Sequence, residues 1–596
     1  MFTIQNFIFP DLKICPISEM YYRNNNNCYY DSNHSRFLFN RLGNLSFDTY
    51  FNFFPVDIWK ENCQLDDLCV LLNGFGSFYL KIYLIENNDS KKLLQENHII
   101  LNHEALRIEI IDWDKISQGL IALEISALLE GEINKISLAT HTNSAVSPVK
   151  LGIVITHFNR KNYVLPSINR VTKYIKENFL SENISLIVVD NSNNITALEA
   201  KDAIVIPNRN LGGTGGFTKG LLYLKDNNYT HCLFMDDDAS CEVESIFRTY
   251  NLLSYTTNHK LAVAGGLLDE TKQALTIEHG ANFFGFPRLL KNGYNLKNLK
   301  KVLLTHKKAN KIDYGGWWFF AFKISNELSY SFPYFVKGDD ITFSIENDFT
   351  IISPVGIACW GLPFGIKSGL FSEYLWVRFL LMQPILYSRY NLKNTLKHIF
   401  KLALILGFAG KYETIRAVEM ALKDVLKGSK FWIENIDTVD IRQRLSKFNK
   451  NEKMIPIDLS EYIFDDFKEN NYDKYDKKGK YKELFFRKLY RFLVFQNFLL
   501  PSFLLRKNII LQSKDFGVRL PETFGYKTII HYDNLTKTGY ITNHSNWQFW
   551  TLIARIFYLI LIIILRQSAL KKEYSNNLEY MTSEKFWRNI LEEDIN

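Results

Sequence analysis

The stretch AIVIPNRNLGGTGGFTKGLLYLKDNNYTHCLFMDDD, residues 203–238, decides the fold of this chain. It holds a short apolar run, a glycine-rich turn, a helical pattern over about 215–225, and a second apolar run at 231–235 that leads into three aspartates. Short apolar runs bounded by turn residues predict buried strands. Strands that alternate with helices predict βαβ units and a mostly parallel sheet.

Two further apolar runs precede this stretch, at 151–156 and 184–190, with a helical pattern between them over 164–179. The run at 184–190 ends on Asp190, much as the run at 231–235 leads into Asp236. In open α/β sheets, ligands bind outside the carboxyl ends of the strands. The sequence therefore predicts an α/β, Rossmann-like core whose binding site includes these acids.

The chain divides into three predicted domains, at 1–147, 148–375 and 376–596. The first is rich in short apolar runs separated by polar or glycine clusters, a pattern typical of a β-sandwich. These runs lie at 37–39, 49–51, 70–72, 78–84 and 120–125. The polar stretch 139–148 predicts a linker to the central domain, which carries the α/β core.

The third domain is predicted to be α-helical. Its helices are expected at 373–392, 394–424, 437–450 and 484–506, with a solvated loop at 468–485. Residues 556–565 form a ten-residue apolar run between Arg555 and Arg566. As a helix this run measures about 15 Å, roughly half of a bilayer core, which is too short to span a membrane. It predicts either a buried helix or a segment at the membrane interface.

The composition of the chain excludes several classes of protein. Of its 596 residues, 47% are hydrophobic and 22% charged, so the chain can build large cores and is not wholly disordered. A formal net charge of +8 is too small to indicate nucleic-acid binding, although it is compatible with a patch that faces anionic lipid. Seven scattered cysteines indicate reduced thiols in a cytosolic protein. We see no secretory signal at the start of the chain.

The glycine-rich turn at 208–217 follows a strand and opens a helix. The spacing of a dinucleotide fingerprint would need a third glycine where Thr218 stands, which argues against an NAD-linked oxidoreductase. Two interpretations stay open. The glycines allow either close packing of helix on sheet or the approach of a phosphorylated ligand to the backbone at a helix N-terminus.

Three adjacent acids, at 236–238, follow the last strand of this stretch. In an extended segment alternate side chains share a side, so Asp236 and Asp238 can face one ligand. Two such carboxylates suit a hard divalent cation that bridges a pyrophosphate. The alternative interpretation is an exposed acidic loop.

Two later motifs also carry candidate chemistry. Asp339 and Asp340 follow a glycine, and burial or a like-charged neighbour can raise the pKa of such a carboxyl until it serves as a general base. The alternative is an acid that caps a helix. Trp317 and Trp318 follow two glycines and predict either core residues or a platform on which a sugar stacks.

The order of these motifs resembles that of inverting nucleotide-sugar glycosyltransferases of the GT-A fold. More narrowly, the chain is similar to the polymerising galactofuranosyltransferases of glycosyltransferase family 2, known from mycobacterial galactan synthesis. The motifs that carry the resemblance are Thr156-His-Phe-Asn-Arg160, Val189-Asp-Asn191, Asn208-Arg-Asn-Leu-Gly-Gly-Thr-Gly-Gly-Phe217, Met235-Asp-Asp-Asp238, Gly316-Trp-Trp318 and Gly338-Asp-Asp340. Weaker matches lie at 49–55 and 582–587. The family's architecture implies an N-terminal β-sandwich, a GT-A core and C-terminal helices on a membrane face.

The resemblance also implies a role for each motif. The residues that would bind the nucleotide and the donor sugar are Arg160, Asp190, Asn208, Asn210, Gly212, Gly213, Asp236 and Asp237. Trp317 and Trp318 would contact the acceptor sugar. Asp340 would be the catalytic base, and Asp339 beside it would bind sugar hydroxyls.

The resemblance implies a divalent cation, Mn²⁺ or Mg²⁺, held by Asp236 and Asp238. The family usually places a metal-binding histidine directly after a tryptophan downstream of the acid pair. In this chain Gly361 follows Trp360, so the position lacks a ligand side chain. We expect weaker metal binding, with water in place of the histidine or with Lys and Arg meeting the charge of the diphosphate.

The expected activity is transfer of galactofuranose, with inversion, from UDP-galactofuranose to a hydroxyl of a glycan or glycolipid in bacterial surface polysaccharide synthesis. The alternatives are another UDP-sugar (an N-acetylated furanose or a pyranose) and a non-catalytic carbohydrate-binding scaffold. We expect a cytoplasmic protein at the inner face of the bacterial membrane, in peripheral contact with lipid and assembled as a homo-oligomer, with no nucleic-acid partner. The basic residues expected to face lipid are Arg555, Arg566, Lys571 and Lys572.

Overall fold

The computed structural model describes residues 1–86, 90–142, 148–308, 311–462, 464, 485–514 and 519–592. Residues 143–147 of the predicted linker at 139–148 and nearly all of the predicted loop at 468–485 lie outside these residues. Within the described part, the chain forms an all-β region, an α/β core and a mainly helical region, in the predicted order.

The N-terminal region is built from eleven strands in one hydrogen-bonded sheet and one helix, α1 (Val56–Asn62). The strands are β1 (Phe2–Asn6), β2 (Arg23–Asn24), β3 (Cys28–Asp31), β4 (Arg36–Phe39), β5 (Asn44–Ser46), β6 (Phe54–Pro55), β7 (Cys69–Ile85), β8 (Lys91–Asn102), β9 (Leu106–Glu109), β10 (Leu120–Ala127) and β11 (Gly131–Thr140). Neighbouring strands in this sheet run antiparallel. The predicted β-rich character agrees with this sheet, and the two-layered sandwich stays a prediction.

Two predictions in this region were wrong. The runs at 70–72 and 78–84 belong to one strand, β7, because Gly74 gives no turn and instead lets β11 approach: a Cβ there would lie 2.1 Å from the Glu132 carbonyl oxygen. Residues 49–51 form a buried turn rather than a strand. They are apolar because Phe51 packs on Trp360 of the core, with ring centroids 5.5 Å apart.

The core is an α/β unit around a seven-stranded sheet. Its elements are β12 (Leu151–His157), α2 (Lys161–Glu177), β13 (Ile184–Asp190), α3 (Ala197–Ala200), β14 (Ile204–Pro207), α4 (Gly212–Asp226), β15 (His231–Asp236), β16 (Ser240–Cys241), α5 (Glu244–Tyr255), β17 (Leu261–Ala264), β18 (Gly266–Asp269), β19 (Thr276–Glu278), β20 (Ala281–Phe283), β21 (Pro287–Leu289), α6 (Leu299–His306), β22 (Phe320–Lys323), α7 (Asp339–Glu346), β23 (Thr350–Ile352) and β24 (Ala358–Gly361). The main sheet has the order β14-β13-β12-β15-β22-β17-β23, and β22 alone in it runs antiparallel to its neighbours. The mostly parallel core is therefore confirmed.

Glycines bring α4 onto the sheet. A Cβ at Gly216 would lie 2.3 Å from Thr156 Cγ2, and one at Gly220 would lie 2.2 Å from Val154 Cγ1. Both distances are far below van der Waals contact, so a larger residue would push α4 away from β12. Close packing of helix on sheet, one of the two interpretations of the glycine-rich turn, is thus confirmed for this helix.

The C-terminal region combines helices with a small sheet. Its elements are α8 (Leu370–Leu386), α9 (Leu392–Phe408), α10 (Tyr412–Val425), α11 (Ser429–Glu434), α12 (Val439–Ser446), β25 (Ile455–Pro456), α13 (Phe485–Leu493), β26 (Arg506–Ser513), α14 (Leu520–Thr523), β27 (Tyr526–Asp533), β28 (Thr538–Asn543), α15 (Asn546–Met581) and α16 (Glu584–Glu592). The predicted helix at 394–424 is two helices, because Gly410 adopts a φ of 72° and breaks it. The sheet β25-β28-β27-β26 was not predicted, and the predicted helix at 484–506 ends at Leu493.

Helix α15 contains the apolar run at 556–565 and is much longer than the run. Among the described residues, α15 is a 36-residue helix that is long and apolar enough to cross a membrane by length and composition alone. The helix length that we estimated from the ten-residue run was therefore too short. One face of α15 is buried against the helical region, and residues such as Tyr558 and Leu565 on other faces are exposed.

The last helix, α16, returns to the α/β core. Trp587 is fully buried and its indole N–H donates to the Ser331 carbonyl at 2.9 Å. Glu584 accepts from Lys225 of α4 at 2.6 Å. The C-terminal end of the chain therefore supports the helix that begins in the glycine-rich turn.

Candidate active site

The acid run lies where β15 ends, beside the end of β12, because Thr156 pairs with Asp236 in the parallel sheet. Asp237 is buried, and its carboxylate accepts a hydrogen bond from the Arg160 guanidinium at 3.0 Å. Its other oxygen lies 3.3 Å from Nδ1 of His157. These contacts place Asp237 within the protein, where it orients Arg160.

Asp238 carries two cationic contacts. Its Oδ2 lies 3.0 Å from the Arg160 guanidinium and 2.7 Å from Nζ of Lys367. Burial opposes ionisation of Asp238, but Lys367 and Arg160 together lower its pKa below the ordinary value. Burial, and then the charge of Asp238, raise the pKa of Asp236 to about 7. The two outer acids of the run therefore differ in their tendency to ionise.

Asp190 holds the loop that follows β13. Its carboxylate accepts hydrogen bonds from the backbone N–H groups of Ser192, Asn194 and Ile195, at 2.7–2.9 Å. These hydrogen bonds outweigh the effect of burial and lower the pKa of Asp190. Asp190 thus has a structural task at the predicted nucleotide end of the site.

The asparagines of the predicted donor site form a network around the glycine-rich turn. Asn208 donates to the Asn191 side chain at 2.8 Å, and Asn191 donates to the Gly212 carbonyl at 3.2 Å. Asn210 Oδ1 accepts from the Gly212 N–H at 3.0 Å. The turn is therefore fixed from both sides before α4 begins.

Gly212 adopts a φ of 70°, and a Cβ there would lie 2.1 Å from the Phe335 carbonyl oxygen. Two residues later, Thr214 donates from its N–H to the same carbonyl at 3.0 Å and from its hydroxyl to Asp339 Oδ2 at 2.8 Å. The glycine-rich turn and the acid pair are thus joined directly, although more than 120 residues separate Thr214 from Asp339.

The acid pair opens α7, after Gly338 with a φ of 88°. A Cβ at Gly338 would lie 2.0 Å from the ring of Phe379, so α8 fixes this turn. Asp339 is buried, whereas Asp340 is partly exposed. Burial raises the pKa of both carboxyls, to about 6 for Asp339 and, with the added repulsion of Asp339, to about 8 for Asp340.

The two acid groups lie in one site. Asp339 accepts a hydrogen bond from Thr214 of α4, and the negative charge of Asp236 contributes to the raised pKa of Asp340. Lys337 lies in the field of Asp340 and of Lys367, and burial lowers its pKa. The structure therefore brings the ends of β15 and the start of α7 together around a shared cluster of charges.

The two tryptophans differ in their surroundings. Trp317 is buried in the core, with ring centroids 4.8 Å from Phe234 and 5.1 Å from Phe217. Trp318 is half-buried, and its indole N–H donates to the Gly265 carbonyl at 3.2 Å. Its ring lies 6.0 Å from that of Phe364. Of the pair, Trp318 is partly exposed, whereas the prediction that Trp317 contacts the acceptor was wrong because its ring is buried in the core.

Sequence reasoning missed two residues of this cluster, Lys367 and Glu278. Glu278 is buried beside Asp340, its pKa is raised well above the ordinary value by burial and by that charge, and its Oε2 accepts no hydrogen bond among the described residues. No local motif marks either residue, since each meets the site through a long-range contact.

The side chains near the acid run fit a divalent cation in part. Asp236 and Asp238 offer carboxylate oxygens, which Mn²⁺ and Mg²⁺ prefer. Gly361 offers none, and Asp238 Oδ2 is already in contact with two cationic side chains. A cation here would be held by these two carboxylates, with oxygens of water or of a bound diphosphate completing its shell.

Comparison with known proteins identifies the class of enzyme. No family model matches the chain. It is 22% identical over 460 residues to the galactofuranosyltransferase GlfT2 of Mycolicibacterium smegmatis, covering 68% of this chain and 67% of that protein. With GlfT2 of Mycobacterium tuberculosis it shares 23% over 439 residues, covering 64% of this chain and 65% of that protein. The chain is a glycosyltransferase similar to GlfT2. The match spans about two thirds of the length of these relatives.

Solved structures of other glycosyltransferases resemble parts of this glycosyltransferase. The mannosyltransferase PcManGT from Pyrobaculum calidifontis, in complex with GDP-Man and Mn²⁺, is 12% identical, with a TM-score of 0.27 over 51% of this chain and 82% of that one. GalNAc-T7 with UDP, GalNAc and Mn²⁺ is also 12% identical, with a TM-score of 0.31 over 54% of this chain and 61% of that one. Both likenesses are partial.

Proposed function

We propose that this glycosyltransferase moves galactofuranose, with inversion, from UDP-galactofuranose to a hydroxyl of a glycan in bacterial surface polysaccharide synthesis. The observation that supports the reaction type is the electrostatic effect of Asp236 on Asp340, together with the hydrogen bond that joins Asp339 to the glycine-rich turn. Two acid groups with separate tasks suit a transfer reaction in which one group helps to hold a diphosphate and the other accepts a proton. The resemblance to GlfT2 supports the choice of sugar.

In this proposal the core at 148–375 is a GT-A domain, between a β-sandwich at 1–147 and a helical region at 376–596. The UDP part of the donor lies along the carboxyl ends of β12, β13 and β15. Arg160 contacts the nucleotide, since its guanidinium is partly exposed beside the acid run. The backbone from Asn208 to Gly213 lines the donor, with Asp190 and Asp237 holding the surrounding loops in place.

Asp340 acts as the general base. It is partly exposed, and its pKa of about 8 places it near working pH, where a base can both be ionised and hold the proton it takes. The acceptor hydroxyl attacks the anomeric carbon from the face opposite UDP, so the configuration inverts. Asp339, fixed by Thr214, orients hydroxyls, and Trp318 stacks on the acceptor sugar.

Asp236 and Asp238 would hold the Mn²⁺ or Mg²⁺ ion, which when bound offsets the charge of the leaving diphosphate. This charge compensation would make UDP a better leaving group.

The donor can be tested directly with purified protein and an oligosaccharide that ends in galactofuranose. We expect UDP release from UDP-galactofuranose and much slower release from UDP-galactopyranose. A coupled assay for UDP measures both rates. Mass spectrometry of the acceptor should show added hexose. Faster turnover of the pyranose or of an N-acetylated furanose would reassign the donor, and failure to bind any of these nucleotides would favour the non-catalytic scaffold.

We further propose that the glycosyltransferase binds the inner face of the bacterial membrane peripherally and meets a lipid-linked glycan there. Helix α13 is short and amphipathic, with Phe486 and Phe492 exposed by 81% and 78% and with Arg487, Lys488 and Arg491 on the other face. This pattern suits a helix that lies in the interface of an anionic bilayer. The exposed apolar residues of α15, flanked by Arg555 and Arg566, would extend the contact, and assembly as a homo-oligomer would multiply it.

Membrane contact can be tested by flotation with vesicles that contain phosphatidylglycerol. We expect the wild type to float with these vesicles and the double variant Phe486→Glu, Phe492→Glu to remain in the soluble fraction, because two acids replace the apolar face. Phe179→Glu is the matched control, because Phe179 is 93% exposed at the surface of the α/β core. This variant should float like the wild type. Equal flotation of all three proteins would contradict the role of α13.

A further inference from the structure

Gly361 lies close to the acid run. It ends β24, and the preceding Trp360 pairs with Ser240, two residues after Asp238. Gly361 is buried, and a Cβ there would lie 3.1 Å from Leu267 Cδ1, which is tighter than an ordinary contact. The protein therefore lacks a ligand side chain at a point where the backbone comes close to the acids.

Lys367 supplies a positive charge to this part of the site. Its Nζ lies 2.7 Å from Asp238 Oδ2, and 35% of its side-chain surface is exposed to solvent. Trp360 and Cys359 pair with Ser240 and Cys241, so the strand that ends at Gly361 runs beside the segment that directly follows the acid run.

A bound diphosphate would need a positive charge at this place. Among the described residues, Arg160 and Lys367 form ion pairs with Asp237 and Asp238, and three carboxylates are present at 236–238. A diphosphate adds further negative charge and would be repelled by the acids alone. A lysine ammonium has three donors on a flexible stem, so Lys367 can keep its contact with Asp238 and donate to a phosphate oxygen as well.

We propose that Lys367 binds the diphosphate of the nucleotide donor and makes up for the missing ligand at Gly361. The proposal rests on the proposed function, because it assigns a contact to the nucleotide that the transfer reaction uses. Lys367 is part of the chain, so its contact does not depend on the supply of a metal ion. UDP binding therefore persists when divalent cations are removed.

The test is isothermal titration of UDP into wild type, Lys367→Met and Lys367→Arg, each in EDTA and in Mn²⁺. We expect the wild type to bind UDP in EDTA with a Kd within about tenfold of its value in Mn²⁺. Lys367→Met should weaken UDP binding in EDTA by about tenfold or more, because it removes a charge-assisted contact. Lys367→Arg should retain binding, since it keeps the charge.

Lys260→Met is the matched control, because Lys260 pairs with Asp348 on the surface and should leave UDP binding unchanged. Thermal unfolding of each variant shows whether it is folded, and the comparison of wild type in EDTA and in Mn²⁺ keeps the test valid if the Met variant unfolds. UDP binding by wild type in Mn²⁺ but not in EDTA would overturn the role of Lys367 and leave the proposed function intact. The same holds if Lys367→Met binds UDP like the wild type in EDTA. Absence of UDP binding under both conditions would overturn the proposed function itself, and this inference with it.

Discussion

Asp340→Asn is expected to lower sugar transfer by about 100- to 10,000-fold, the range of contributions from general bases. The amide has nearly the shape of the carboxylate but cannot accept the proton of the attacking hydroxyl. UDP binding should change little, because the diphosphate is held at the other acid group. The measurements are the rate of UDP release with donor and acceptor, and the Kd of UDP by titration.

The pH profile gives a second readout of the same substitution. Burial and the neighbouring Asp339 raise the pKa of Asp340 to about 8, and a base must be deprotonated to act. The wild-type kcat/KM should therefore increase as the pH rises through about 8, and it should be low at more acidic pH. In Asp340→Asn the remaining rate should lose this dependence.

Asp348→Asn is the control for Asp340→Asn. Asp348 follows α7 on the surface, where it pairs with Lys260, so its loss should leave transfer unchanged. Asp340 lies among like charges that oppose its ionisation, so we do not expect the Asn variant to unfold at a lower temperature. Transfer by Asp340→Asn at a rate near that of the wild type would show that another group takes the proton.

The sequence predicted the core strands well because each is a short apolar run whose burial is decided locally. The strand at 184–190 agrees with β13 residue for residue. Errors arose where a distant contact decides the structure. Phe51 is apolar because of Trp360, not because it lies in a strand. The C-terminal sheet was missed because we predicted that region to be helical.

The candidate site shows the same division. The acids could be found from the sequence because they directly follow apolar strands or a glycine turn. Lys367 could not, since its role depends on a contact with Asp238, 129 residues away. The surroundings of Trp317 were equally hidden, because a buried tryptophan and a sugar platform share one sequence pattern.

Gly212→Ala is expected to lower the free energy of unfolding by at least about 2 kcal/mol, because a left-handed backbone and a steric clash act together. The methyl group would lie 2.1 Å from the Phe335 carbonyl oxygen, and Gly212 already has a φ of 70°. Relief of the clash requires the segment at Phe335 to move, and this segment leads to Asp339 and Asp340. The rate of sugar transfer should therefore fall together with stability. Chemical unfolding measures the stability, and UDP release measures the transfer rate.

Gly293→Ala separates strain from clash. Gly293 has a similar φ of 74°, but a Cβ there would meet nothing within 4 Å among the described residues, so its substitution adds backbone strain alone. The difference in unfolding free energy between the two variants measures the close approach of Phe335 to Gly212. If the two variants lose equal stability, the contact between the glycine-rich turn and the segment before the acid pair is looser than the structure has it. In that case a phosphorylated ligand, rather than the fold, would be the reason for glycine at 212.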